Sequence, residues 1–152
     1  MNYNKLDESN AVFLTKIFSN PEYALYFAEN ETTEEEWKER LNYYVDKESY
    51  IVYDDTSPVG WVMYKVEGTT CYVDIIVLLN EKRRKGYGHD IIHDIIEKNK
   101  EIQTIKLDVQ KRNTGARKFY EKMGFGVVDE EQQPIGDSMT DYYKLQLDIQ
   151  NV

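Results

Sequence analysis

The chain has 152 residues, 41% of them hydrophobic and 13 of them tyrosine, and a formal charge of −9; that length suits a single domain, 1–152, with a core of its own. The acidic balance argues against nucleic acid or an anionic membrane as the main partner, and no window approaches the ~18 apolar residues of a membrane span. One cysteine, Cys71, excludes an internal disulfide, and the start Met1-Asn2-Tyr3-Asn4-Lys5 lacks the basic-then-apolar pattern of a signal peptide, so the cytoplasm is the expected compartment.

The charge is unevenly spread. Residues 1–60 hold 13 acids and 5 bases (net −8), residues 61–128 hold 9 acids and 13 bases (net +4), and residues 129–152 hold 6 acids and 1 base (net −5). A basic centre in an acidic chain suits an anionic ligand used together with a cationic one, although ordinary solvated surfaces also produce such blocks.

In chain order, Tyr3–Leu6 reads as a short strand. Ser9 or Asn10 caps a helix to about Phe18, with Val12, Phe13 and Ile17 on one face, and Asn20-Pro21 ends it. Thr33, with Glu36 three residues on, forms a capping box that opens a helix to about Asp46; Trp37, Leu41 and Tyr44 share its inner face. Tyr50–Tyr53 and Val59–Val66 are strands around a turn at residues 54–58, and Gly68 leads into a long central strand, Tyr72–Leu79. Gly88–Lys98 carries isoleucines at helical spacing. Ile105–Val109 is a short strand and Thr114–Met123 a short helix, with Gly124 as its C-cap. Gly126–Val128 and Tyr142–Leu147 are the last strands, and the polar stretch Asp129–Thr140 between them reads as a loop. The expected class is α+β (mixed α/β), with a mostly antiparallel sheet that is parallel at its centre.

The run Arg83-Arg84-Lys85-Gly86-Tyr87-Gly88 lies between that central strand and the isoleucine helix. A basic glycine turn feeding a helix N-terminus makes an anion site, because the first helical N–H groups lack intrahelical partners and the dipole favours negative charge there. Four successive bases, Lys82–Lys85, are disfavoured at that end of a helix unless an anion binds. A Walker loop is excluded, since no Gly-Lys-Ser/Thr follows a glycine at the required spacing. A dinucleotide fingerprint is excluded because its third glycine position is Ile91.

What remains, Arg-x-x-Gly-x-Gly, resembles the acyl-CoA pyrophosphate loop of the GNAT superfamily of N-acetyltransferases. The stretch Asn80–Gly88 matches that loop throughout except for Asn80, where the family usually has proline. A second match is Asn113, with Tyr120 seven residues later and a closing Gly124-Phe125. The layout resembles the family over the whole chain, and the motifs cover about residues 70–126. The resemblance implies a central mixed sheet of six to seven strands flanked by about four helices. It also implies that the main chain of Arg84–Gly88 binds pyrophosphate, with Arg83 shaping the turn and Arg84 and Lys85 reaching phosphates. The main chain of Ile76, Val77 and Leu78 would pair with the pantetheine arm, and Asn113 would bond that arm or nearby backbone. Tyr120 would protonate the leaving thiolate, a role that suits a phenol of pKa ~10 facing a thiol of ~8.5; its helical spacing with Ala116, Phe119 and Met123 also fits a core aromatic.

Two carboxylates qualify as the base that takes the amine proton, Asp108 and Asp74, each expected to be partly desolvated; a surface role suits either as well. Cys71 reads as a core strand residue. His89 and His93 stand at i, i+4 without a third ligand motif, so no metal is expected. Tyr23, Tyr26, Phe27, Trp37, Tyr43 and Tyr44 make the first helices aromatic and acidic, which suits a cationic acceptor or plain helix packing.

The expectation is an acetyl-CoA-dependent N-acetyltransferase acting on a primary amine of a small molecule or peptide, by direct attack in a ternary complex held in the V between the strands ending at Leu79 and Val109. Two rivals share the fold: a catalytically silent acyl-CoA-binding module and a protein N-terminal acetyltransferase. A homodimer through the sheet edge is compatible with the pattern.

Overall fold

The computed structural model describes residues 1–26, 33–44, 47–135 and 137–149, without the side chains of residues 24–26, 42 and 43. Seven strands form one sheet: β1 (Asn2–Lys5), β2 (Glu48–Asp54), β3 (Ser57–Glu67), β4 (Thr70–Leu78), β5 (Thr104–Gln110), β6 (Gly126–Ile135) and β7 (Ser138–Asp148). The helices are α1 (Ala11–Phe18), short α2 (Pro21–Tyr26), α3 (Glu34–Tyr44), α4 (Tyr87–Lys98) and α5 (Thr114–Met123). The sheet order is β1-β2-β3-β4-β5-β7-β6, and β4 and β5 pair in parallel, as two strands joined by a crossover helix must. Expected class and observed fold agree.

By contacts the chain divides into two compact units, Met1–Tyr64 with Ile75–Asp90, and Lys65–Asp74 with Ile91–Val152. In the first, Leu14, Ile17, Phe18, Trp37, Trp61 and Val77 are almost wholly buried. Trp37 stacks on Phe18 at 5.4 Å, and Trp61 meets both rings edge-on. The indole N–H of Trp61 donates to buried Ser49 Oγ at 2.9 Å, which satisfies both polar groups. In the second unit, Ile91, Ile92 and Ile95 bury the inner stripe of α4, and Ile105, Leu107, Leu145 and Leu147 bury one face of β5 and β7.

Local chemistry moves one boundary. The first helical turn starts at Asp7, whose side chain accepts from Ser9 N–H while Asn10 Oδ1 accepts from Asp7 N–H. Ala11, Leu14, Ile17 and Phe18 form the buried stripe and Val12 is 60% exposed, because Val12 and Ile17, five residues apart, stand about 140° apart around the helix. Elsewhere the capping expectation holds: Thr33 Oγ1 accepts from Glu36 N–H at 3.2 Å, and Trp37 and Leu41 are buried. Asp46, the expected end of α3, lies outside the described residues.

The stretch Asp129–Thr140 is not a loop. β6 runs to Ile135 and β7 begins at Ser138, in register from Asp129↔Lys144 to Ile135↔Ser138. Its residues escaped notice because β6 is an edge strand exposed over almost its whole length, so no apolar alternation marks it. Cross-strand polar pairs take that place: Gln132 Nε2 donates to Asp141 at 2.9 Å and Lys144 lies 2.9 Å from Glu131. Pro134 is tolerated because an edge strand has one unpaired side.

Candidate active site

Residues of the first unit build the turn Arg83–Gly88. After β4 the chain makes one 3-10 turn, Asn80–Lys82, and bends twice through positive φ, at Arg84 (φ 61°) and Gly86 (φ 86°), before Asp90 N–H closes the first turn of α4 on Gly86 O at 3.0 Å. Alternating φ signs turn successive N–H groups to a common side, the concave main-chain arrangement that takes anions. Among the described residues none of the N–H groups of Arg84–Gly88 has an acceptor, and none of Lys82–Lys85 is paired with a carboxylate. No protein atom lies within 4 Å of where a Cβ on Gly86 would sit, so the loop is open at its glycine. Tyr87 anchors it: its hydroxyl donates to Asp54 Oδ2 at 2.5 Å, and that bond raises the phenol pKa.

The central strand is fixed by a residue the sequence reading passed over. A Cβ on Gly60 of β3 would stand 2.0 Å from the carbonyl oxygen of Val77, a distance no side chain tolerates. Leu79 N–H donates to Val59 O at 2.9 Å beside it. Gly60 therefore lets β3 approach β4 closely, at the run Ile76-Val77-Leu78 assigned to the pantetheine arm. Val77 is buried, and Ile76 and Leu78 are half-buried on the other face. The signal was present, since an isolated glycine inside a strand pattern marks a close backbone approach.

The second unit holds Asn113 and Tyr120. Asn113 caps α5: its Oδ1 accepts from Ala116 N–H at 3.3 Å, the nearby-backbone bond of the two alternatives for this side chain. Gly124, at φ 110°, ends the helix in the left-handed conformation. Tyr120 is buried between Phe119 and Phe125, both rings edge-on at 5.2 and 5.3 Å. Burial raises its pKa to about 12, and its hydroxyl has no hydrogen-bond partner among the described residues. Tyr120 is thus a core aromatic by its ring, with a hydroxyl that stays protonated at neutral pH.

The two candidate bases flank the end of the parallel ladder. The last β4–β5 pair is Val73↔Leu107, and Asp74 and Asp108 are the next residues, both on the exposed face. Neither is desolvated as expected, because strand alternation turns Val73 and Leu107 inward and the aspartates outward. Asp108 lies 3.6 Å from Lys144, its cross-strand neighbour on β7, and accepts from Gln133 Nε2 at 3.1 Å. Lys144 and Gln133, from the misread hairpin, are the residues missed here; only strand register brings them to Asp108.

Other candidates resolve into structure. Cys71 is fully buried, and burial pushes its thiol up to about 12, so it is no nucleophile. Among the described residues no three His, Cys, Asp or Glu side chains form a metal cluster, and no helix is long and apolar enough to cross a membrane. Trp37 packs in the core with the Arg40 guanidinium 4.3 Å from its ring, so one aromatic face already carries a cation. Tyr44 is half-buried against Trp61, and Tyr23 is buried beneath Arg83. Phe27 and the side chains of Tyr26 and Tyr43 lie outside the described residues.

The spermidine N-acetyltransferase of Vibrio cholerae, solved with CoA and spermine, superposes with a TM-score of 0.79 over 96% of this chain and 94% of that one, at 18% identity. The ribosomal-protein-S18-alanine N-acetyltransferase of Escherichia coli reaches 0.70 over 97% and 93%, at 16%. At such identities these likenesses concern the fold. In sequence, the chain is 32% identical over 90 residues to a "Probable N-acetyltransferase san" of Drosophila melanogaster, an alignment covering 55% of this chain and 49%, about half, of the relative. The family description "Acetyltransferase (GNAT) family" matches residues 11–125, which include the Arg83–Gly88 turn, Asn113, Tyr120 and Gly124-Phe125, and the chain therefore belongs to the GNAT acetyltransferase family.

Proposed function

We propose that the chain is a cytoplasmic N-acetyltransferase that uses acetyl-CoA as co-substrate and a primary amine of a small molecule or peptide as acceptor. The observation that carries this reading is the loop Arg84–Gly88, where among the described residues the N–H groups lack acceptors and the bases Lys82–Lys85 have no carboxylate partner. That arrangement suits a diphosphate, which can accept several N–H bonds at once while the helix dipole favours its charge. The β4–β5 ladder ends at Val73 while β4 runs on to Leu78. Main chain beyond a ladder can bond an extended ligand, as pairing of Ile76–Leu78 with the pantetheine arm of CoA would require.

In the reaction the amine nitrogen attacks the thioester carbonyl, the C–N bond forms and the C–S bond breaks. A main-chain N–H of β4, that of Leu78, polarises the carbonyl. Tyr120 donates its proton, or a strong hydrogen bond, to the departing sulfur. With its pKa near 12, full transfer to a free thiolate of ~8.5 would be uphill by about 5 kcal/mol. A thiolate in equally water-poor surroundings is raised as well, which narrows that gap. The amine proton leaves through Asp108, Asp74 or water. Much of the acceleration would come from holding both substrates in place.

Calorimetric titration with acetyl-CoA, followed by a panel of amines and N-terminal peptides, tests the reading. Micromolar binding with turnover of at least one acceptor class supports it. A folded chain that binds no acetyl-CoA sinks it, and binding without turnover of any amine leaves the silent acyl-CoA module in its place.

A further inference from the structure

Tyr23 stands out among the residues of the first unit that the reaction scheme leaves unused. It lies on α2, is 2% exposed, and its hydroxyl has no hydrogen-bond partner among the described residues. The Arg83 guanidinium sits 4.4 Å from its ring centroid. Arg83 is the first residue of the phosphate loop, directly before the positive-φ residue Arg84. Among the described residues the Tyr23 ring is the contact that holds its guanidinium.

A cation on a largely buried ring is attracted by the ring quadrupole, and more strongly than at an exposed site. Holding Arg83 there would fix the chain direction at the entrance of the loop, so that Arg84 adopts its left-handed conformation without help from a ligand. A residue in that conformation costs free energy unless its surroundings hold it. The hydroxyl plays no part in this: phenylalanine would stack equally, without burying an unpaired polar group.

We infer that Tyr23 is a positioning residue for the phosphate loop, acting through its ring on Arg83 and so preorganising the main chain for the diphosphate. The inference rests on the proposed acetyl-CoA reading. Loop preorganisation lowers the ordering cost of binding at the phosphates alone. Tyr23 should therefore matter for ligands that carry the diphosphate and not for those that lack it.

The test is titration of wild type, Tyr23→Phe, Tyr23→Leu, Arg83→Met and the Tyr23→Leu/Arg83→Met double variant with CoA and with pantetheine, thermal midpoints being recorded alongside. Tyr23→Leu is expected to weaken CoA by ~10-fold, the order expected of one desolvated cation–π contact. Pantetheine binding should be unchanged, and Tyr23→Phe should bind CoA as wild type does. In the double variant the two losses should not add, because both remove the same contact. Three results would overturn the inference while leaving the acetyl-CoA reading intact: wild-type CoA affinity in Tyr23→Leu, equal loss for CoA and pantetheine, or a Phe variant as weak as Leu. A wild type that does not bind CoA would overturn both.

Discussion

The Arg84–Gly88 loop and helix α5 offer different things to a ligand. The loop offers main chain: N–H groups at Arg84–Gly88, positive φ at Arg84 and Gly86, and exposed side chains at Arg84 and Lys85. Helix α5 offers side chains: the Asn113 carbonyl at the cap and a Tyr120 hydroxyl set by the packing of two phenylalanines. A main-chain site needs residues that allow a conformation, so glycines are its sensitive points. A side-chain site needs one functional group in a shaped environment, so truncations of single atoms are what it should feel.

The largest effect expected is on the main-chain side. Gly86→Glu forces a side chain into φ 86° and sets a carboxylate against the anion loop; acetyl-CoA affinity should fall by ~100-fold or more, the combined result of strain and like-charge repulsion. Calorimetry reads it, and near-normal affinity would mean that the loop is not the phosphate site. Gly60→Ala comes next. With its Cβ 2.0 Å from the Val77 carbonyl, the backbone must move, and urea unfolding should show a loss of about 2–3 kcal/mol, in the range of overpacked cores. A neutral result would remove Gly60 as the reason for the path of β4.

On the side-chain side, Tyr120→Phe should lower kcat by at least ~10-fold, the minimum for one lost general acid, with acetyl-CoA affinity retained. An unchanged kcat would refute the role given to the hydroxyl. The smallest effect is the share of the Tyr120 hydroxyl in stability at high pH. Tyr120 and Cys71 are both pushed up to about 12 by burial. The native state therefore keeps protons that the unfolded chain releases at ordinary phenol and thiol values. Stability is fully present below that range and falls as pH rises from about 9 toward 12. At about pH 11, Tyr120 alone accounts for a loss of roughly 1 kcal/mol. Tyr120→Phe should flatten this alkaline slope without abolishing it, as denaturant midpoints at pH 8 and 11 would show; an unaltered slope would mean that Tyr120 is not desolvated.

The same contrast explains what could be read in advance. Gly86, Gly88, Asn113, Tyr120 and Gly124 act within a few residues of their own position, so spacing along the chain carries their meaning. The hairpin β6–β7 does not announce itself, because exposed edge strands need no apolar alternation. Lys144 and Gln133 meet Asp108 only through the register of β5, β7 and β6. Val12 faces solvent because it stands five residues, about 140° of helix, from buried Ile17, and the core takes the Ala11, Leu14, Phe18 side.

What the sequence determined by itself was the mixed fold class, most elements in their order, the caps at Thr33, Asn113 and Gly124, and the family. These rest on local backbone preference and on the periodicity of burial, both of which short stretches of chain express. Only tertiary structure decided that Asp74 and Asp108 face solvent, that Gly60 meets the Val77 carbonyl, that Arg83 rests on Tyr23 and that the Tyr120 phenol is raised to about 12. Each of these depends on which distant residues share a strand register or exclude water from a group, and residues far apart in the chain acquire such neighbours only when it folds.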